Sequence, residues 1–94
     1  MALLSDAEIE QRLDAAKGWQ RAHGDSIERE WTFPDFAAGI VFINRVAEIA
    51  EAANHHPDIL LHGWNKVRLT LSTHSQGGLT DADFRLASQI DRVA

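Results

Sequence analysis

The sequence predicts an α+β fold of two layers, a four-stranded antiparallel sheet with three helices packed on one face, in the order α-β-β-α-β-β-α. Three observations predict it: two capping-box signatures that open amphipathic segments, two pairs of alternating stretches joined by hairpin-length links, and a long segment of helical periodicity between the pairs. Ninety-four residues, 45% of them hydrophobic, suffice for one domain spanning 1–94 around one core.

The first helix opens at Ser5, which stands three residues before Glu8 as a capping box requires, with Leu4 and Ile9 as staple partners, and it runs from about Asp6 to Ala16 before Gly18 ends it. "WQRA" and "IEREWTF" then read as two short strands around a "HGDS" turn containing Gly24. In the second strand Ile27, Arg29, Trp31 and Phe33 share one face and Glu28, Glu30 and Thr32 the other. Pro34 starts the long helix, whose core stripe is expected at Phe36, Ile40, Ile43, Ala47 and Ala50. That helix cannot continue through Pro57. The residue before a proline is driven to extended geometry, so His56 lies outside the helix and His55 at its last turn. Beyond the proline, Val67, Leu69, Leu71 and Thr73 alternate with Lys66, Arg68, Thr70, Ser72 and His74, which puts His74 on a polar sheet face. Thr80 caps the last helix with Asp83 at its third position and Leu79 and Phe84 as staple partners. The second sheet face is left to solvent or a partner subunit.

Composition excludes several classes. A formal charge of −5 and a pI near 5.4, with no basic run, argue against nucleic-acid binding. The chain has no cysteine, hence no disulfide and no thiolate metal site, and no apolar run long enough to span a membrane. "MALLSDAEIEQRL" lacks the charged start and apolar stretch of a signal peptide, so a cytoplasmic location is expected.

The chemistry concentrates at "NHHP", Asn54 to Pro57. Histidine is the side chain that titrates near neutrality, and Glu51, four residues before His55, is placed one helical turn below that imidazole and able to orient it. If the end of this helix meets the strand end that carries His74, three imidazoles share one cleft and supply a general acid and a general base without a metal. Each residue also has a plainer reading. His55 can satisfy the helix C-terminus, His56 and His74 can be surface residues, Asp83 can be only a capping acid, Glu51 can belong to a solvated face, and Trp19 and Trp64 can be packing residues. His23 and His62 read as loop and exposed-strand residues. Zinc is set aside, because adjacent histidines at a helix exit diverge and no HExxH occurs.

"EAANHHPDILLHGWNKVRLTLSTHSQGGLTDADFRLAS", together with the early Gly18-Trp19 and the "WTFPDFAAGIVFINRVAEIAE" segment, resembles the pterin-4a-carbinolamine dehydratases over nearly the whole chain. One departure is an extra residue between Pro57 and Trp64, which Gly63 is suited to absorb as a bulge. The resemblance implies a hydro-lyase, 4a-hydroxytetrahydrobiopterin dehydratase, that removes water from 4a-hydroxytetrahydropterin and so recycles the pterin of aromatic amino-acid hydroxylases. It implies His55, His56 and His74 as catalytic residues and Asn54, His55, His56, Ser72, Thr73, His74, Ser75 and Trp19 as substrate contacts. Glu51, Asp83 and Pro57 are then supporting residues, and the pterin is substrate, with no cofactor and no metal. Partners implied are a second or further copies of the chain, as homodimer or homotetramer. The alternatives are a protein-interaction module, the dimerisation cofactor of a transcription factor, and a dehydratase acting on a different pterin.

Overall fold

The computed structural model describes residues 2–94, Met1 lying outside them. Ser5 and Glu8 form the reciprocal capping box that opens helix α1 (Asp6–Ala15), with Ser5 N–H donating to Glu8 Oε1 at 2.8 Å. Gly18 stands beyond that helix at φ 90°. It lies beneath the Arg29 side chain, where a Cβ would fall 2.6 Å from the guanidinium carbon. The two hairpins follow as read, β1 (Gln20–Ala22) with β2 (Ser26–Thr32) and β3 (Asp58–His62) with β4 (Lys66–Leu71). All pairings are antiparallel and the strand order is β1-β2-β4-β3, so the hairpins lie side by side with β2 and β4 in the middle. Helix α2 (Phe36–Ala53) joins them, and α3 (Asp81–Asp91) closes the chain.

One sheet face carries the core. Val67, Leu69 and Leu71 of β4 and Ile27 of β2 are fully buried, and Ile9, Phe42, Val46, Leu86 and Ile90 from the three helices pack on them. Arg29 sits on this same face at its border, as its parity requires, with its guanidinium 5.0 Å from the Trp31 ring centroid and 3.2 Å from Asp91. On the opposite face a polar row crosses three strands, in which His62 Nε2 lies 2.5 Å and Arg68 Nη2 3.3 Å from Glu30 Oε1. The His62 hydrogen bond holds the Glu30 carboxyl below its ordinary 4.5 against the opposing effect of desolvation, with the charges of His62 and Arg68 adding to the lowering.

Three expectations are corrected. Pro34 precedes α2 instead of occupying its first turn, because Asp35 is the N-cap and accepts from Ala38 N–H at 2.8 Å. The buried stripe of α2 is Gly39, Phe42, Val46 and Ala50. Of the expected Phe36, Ile40, Ile43, Ala47 and Ala50, Ala50 is buried and Ile43 packs at the edge of the core, while the rest of the stripe lies one residue earlier, a rotation of roughly 100°. Aromatic packing selects it, since Phe42 stacks on both Trp31 (4.9 Å) and Phe33 (5.1 Å). Phe36 is left 52% exposed. The extra residue near Gly63 makes no bulge in β3. It enters the β3–β4 turn, where Gly63 and Trp64 both take positive φ (55° and 60°), and the pairing Asp58↔Thr70 through His62↔Lys66 is uninterrupted.

The capping box gives a pH prediction. The Ser5 backbone N–H, followed by its hydroxyl, holds the Glu8 carboxyl below its ordinary 4.5. A carboxyl lowered by folding contributes stability that is complete above the unfolded value and lost as pH falls through the folded one. Glu8→Gln is therefore expected to be less stable than wild type near neutrality and to converge with it in acid, read from urea midpoints between about pH 7 and pH 3. A constant gap between the two curves would contradict it.

Candidate active site

The geometry of the NHHP segment is set by how α2 ends. Asn54 adopts the left-handed conformation (φ 50°, ψ 42°), its N–H reaching Glu51 O at 3.2 Å while His55 N–H reaches back to Ala50 O at 3.1 Å. This is a Schellman closure with asparagine in the place glycine usually holds. The helix thus stops three residues before Pro57. His55 is not on the last turn as expected but outside it, and the four-residue relation to Glu51 no longer applies. Glu51 pairs instead with His56 Nε2, an exposed hydrogen-bonded pair beside the helix end.

His55 turns to another partner. Its Nε2 lies 2.6 Å from Oδ1 of Asp83, a carboxylate with no solvent exposure in the first turn of α3. The other oxygen, Oδ2, accepts from Thr80 N–H at 3.0 Å and from the Thr73 hydroxyl at 2.8 Å. Since the Thr73 hydroxyl proton goes to Asp83, the 2.8 Å contact between the Thr73 and Thr80 hydroxyls is donated by Thr80. Asp83 is therefore both the capping acid and the holder of His55, one oxygen to each task. The carboxylate acceptor assigns the shared proton to Nε2 and leaves Nδ1 as the imidazole nitrogen open to a ligand.

The remaining residues fall into two groups. His74 does not lie on a sheet face, because β4 ends at Leu71 and His74 begins a 3₁₀ turn (His74–Gln76) closed by Thr73 N–H to Gly78 O at 2.9 Å. It is exposed, as is Ser75, and is tied to the cluster through its neighbour Thr73. Ser72, by strand alternation, points the other way and donates its hydroxyl to Asp25 O at 2.7 Å in the β1–β2 turn. Trp19 is 5% exposed, and its indole N–H donates to Asp91 at 3.0 Å. Asp91 lies eight residues beyond Asp83 on α3, about 12 Å along the axis, so the structure places Trp19 in the core and away from His55. His55 and His56 are held by different carboxylates, Asp83 and Glu51. Among the described residues no three His, Asp or Glu side chains converge as an ion site would need.

A cleft of about 240 Å³ adjoins His55, lined also by Ala53, Ala82, Arg85, Leu86 and Gln89. None of those α3 positions was singled out from sequence, although Ala82, Leu86 and Gln89 at spacings of four and three mark one helix face turned toward α2.

Because a buried carboxylate carries these bonds, Thr73→Val is expected to cost about 1.5–3 kcal/mol by leaving Asp83 short of a donor, and Asp83→Ala more, by orphaning the Thr80 N–H and the Thr73 hydroxyl together. Urea denaturation measures both. A Thr73→Val loss under about 0.5 kcal/mol would show that the network is not carrying stability.

Residues 2–93 match the family model described as pterin 4 alpha carbinolamine dehydratase. A Roseiflexus castenholzii protein provisionally named pterin-4-alpha-carbinolamine dehydratase is 53% identical over 98% of this chain and 97% of its own. A Thermomicrobium roseum protein of the same provisional name is 45% identical over 100% and 99%. Among solved structures, a Brucella melitensis protein described as a transcriptional coactivator/pterin dehydratase superposes with a TM-score of 0.93 at 34% identity, covering 99% of each chain. A pterin dehydratase-like protein described as a RuBisCO assembly factor of the alpha-carboxysome shares the fold, with a TM-score of 0.69 at 23% identity over 82% of this chain and 89% of its own. The fold, the HHP segment at the end of α2 and these matches agree, and the chain belongs to the pterin-4a-carbinolamine dehydratase family.

Proposed function

We propose that the protein dehydrates 4a-hydroxytetrahydropterin to quinonoid dihydropterin by histidine acid/base catalysis, and that it serves to recycle the pterin cofactor of aromatic amino-acid hydroxylases. The observation that carries this reading is the pair of consecutive imidazoles, each with its own carboxylate, at the exit of α2. In the reaction the C4a–O bond breaks, the departing hydroxyl takes a proton and leaves as water, and the N5 proton is lost as the C4a=N5 bond forms. An acid and a base near neutral pH are both needed. His55, with its Nε2 proton committed to buried Asp83, offers a lone pair at Nδ1 and is assigned the base. His56, exposed and paired with Glu51, is assigned the proton donor to the leaving hydroxyl. His74, with Asn54 and Ser75, is assigned to pterin contact. Thr73 is buried and acts through Asp83 as a positioning residue.

The loss of 4a-carbinolamine, followed by ultraviolet absorbance, tests this. His55→Ala and His56→Ala are each expected to lower kcat by about 10² or more, with a smaller loss for His74→Ala. Absence of any acceleration by wild type would end the enzymatic reading, and full rates in all three variants would end the site assignment.

A protein-interaction role is the second reading, favoured by the coactivator description of the Brucella melitensis relative. It is also favoured by apolar side chains left outside the core: Ile59 and Leu60 on edge strand β3, and Phe36 and Val41 on α2. Self-association is the simplest use of those surfaces. Light scattering is expected to give a mass two or four times the 10.5 kDa of the chain, and a monomer at micromolar concentration would contradict that.

A further inference from the structure

Of the seven arginines, four end on carboxylates: Arg12 on Asp81, Arg21 on Asp6, Arg29 on Asp91 and Arg68 on Glu30. In a chain of net charge −5, where acids outnumber bases, the other arginines are conspicuous for meeting none among the described residues. Two of these, Arg85 and Arg92, stand seven residues apart on one face of α3 and its C-cap, about 10 Å along the axis.

Both border open space. The cleft beside His55 is walled by Arg85, and a second cleft of about 360 Å³, lined by Ile49, Ala52, Val93 and Arg92, adjoins it through the shared residues Ala53 and Gln89. The two clefts share that wall between α2 and α3 and together make a trough with His55 in its lining. Its lining contains no Asp or Glu, its floor is alanine and aliphatic, and its charged groups are the two guanidinium forks. The His55 end alone, at about 240 Å³, is smaller than the roughly 300–1,000 Å³ of ordinary small-molecule sites; only with the second cleft does the space reach that range. Guanidinium forks match phosphate and carboxylate oxygens bidentately.

We infer that the trough binds an anionic tail on the pterin, so that the preferred ligand carries a phosphate ester or a carboxylate on its side chain in place of a neutral polyol. This rests on the reading that His55 faces a pterin. Position along the trough separates the two sources. A phosphate on a three-carbon side chain extends to Arg85, which shares the cleft with His55, whereas only a long tail such as an aminobenzoyl-glutamate reaches Arg92.

Equilibrium binding by pterin fluorescence tests it with three ligands: neopterin, neopterin monophosphate and pteroylglutamate, on wild type, Arg85→Gln and Arg92→Gln. Both anionic ligands are expected to bind wild type about tenfold or more tighter than neopterin, with the advantage shrinking as salt rises. Arg85→Gln is expected to abolish the phosphate advantage, and Arg92→Gln to reduce that of pteroylglutamate alone. Equal binding of neutral and anionic ligands to wild type would overturn the inference, as would an equal loss for all three ligands in Arg85→Gln. Turnover of the neutral carbinolamine, measured in parallel, separates the failures: turnover without anion preference overturns only the tail site, while no turnover and no binding of any pterin overturns the pterin reading with it.

Discussion

The carboxylate of Asp83 is the constraint on which both the fold and the site depend. It is fully buried, and a buried carboxylate persists only with its lone pairs satisfied. Three donors from three different elements provide this: Thr80 at the start of α3, Thr73 in the segment after β4, and His55 after α2. One side chain therefore ties the helix layer to the end of the central strand. The same bonds fix an imidazole whose other nitrogen is free. Structure and chemistry are not separable here, which is why a capping motif readable as purely structural also carries the site.

The second constraint is backbone handedness at Asn54. Had α2 run one more turn, Glu51 would have lain beneath His55 and the Asp83 pairing would have been lost. A left-handed residue costs a non-glycine about 1–2 kcal/mol, and asparagine is among the side chains that tolerate it best. The Schellman bonds from Asn54 and His55 to Glu51 and Ala50 offset that cost by satisfying helix-terminal carbonyls. The consequence is an exchange of partners. Glu51 serves His56, the more exposed imidazole, and Asp83 serves His55, the more buried one. Pro57 holds the chain extended afterwards, so the two rings leave the helix end in different environments.

Much of this was legible in the sequence, and the exceptions have physical causes. Alternation in β4 reads directly onto the burial of Val67, Leu69 and Leu71, because a strand buried on one face has a period of two that no neighbour can disguise. Both capping boxes were legible because they are local. The core stripe of α2 was not. Its apolar residues cover more than one face, and the choice between adjacent stripes is made by Trp31 and Phe33, aromatics on another element. The histidine partners were misread for a related reason: spacing on a helix gives neighbours only while the helix continues. His74 was placed on a strand that in fact ends at Leu71, where Gly77 and Gly78 allow the chain to close a tight turn instead. Trp19 reads from sequence chiefly as a packing residue, pocket lining being implied only by the resemblance, and its burial with the N–H on Asp91 agrees with packing.

The location of the site follows from where chain ends meet. The exit of α2, the exit of β4 and the entry of α3 converge at Asp83, and each brings backbone groups that regular structure leaves unpaired. Polar side chains are needed there for folding alone. Once Thr73, Thr80 and Asp83 have met that need, the imidazole added by His55 comes with its orientation already determined, and no separate rigid support has to be built for it. The polar row of Glu30, His62 and Arg68 on the far sheet face shows the contrast. Those groups are also paired, but they lie on a surface of regular strands whose backbone is already satisfied, with solvent present to take the place of any of them. Histidine and carboxylate occur in both places. Of the two places, the junction of ends is the one where the carboxylate is fully buried, so that solvent cannot replace the bond that orients the imidazole.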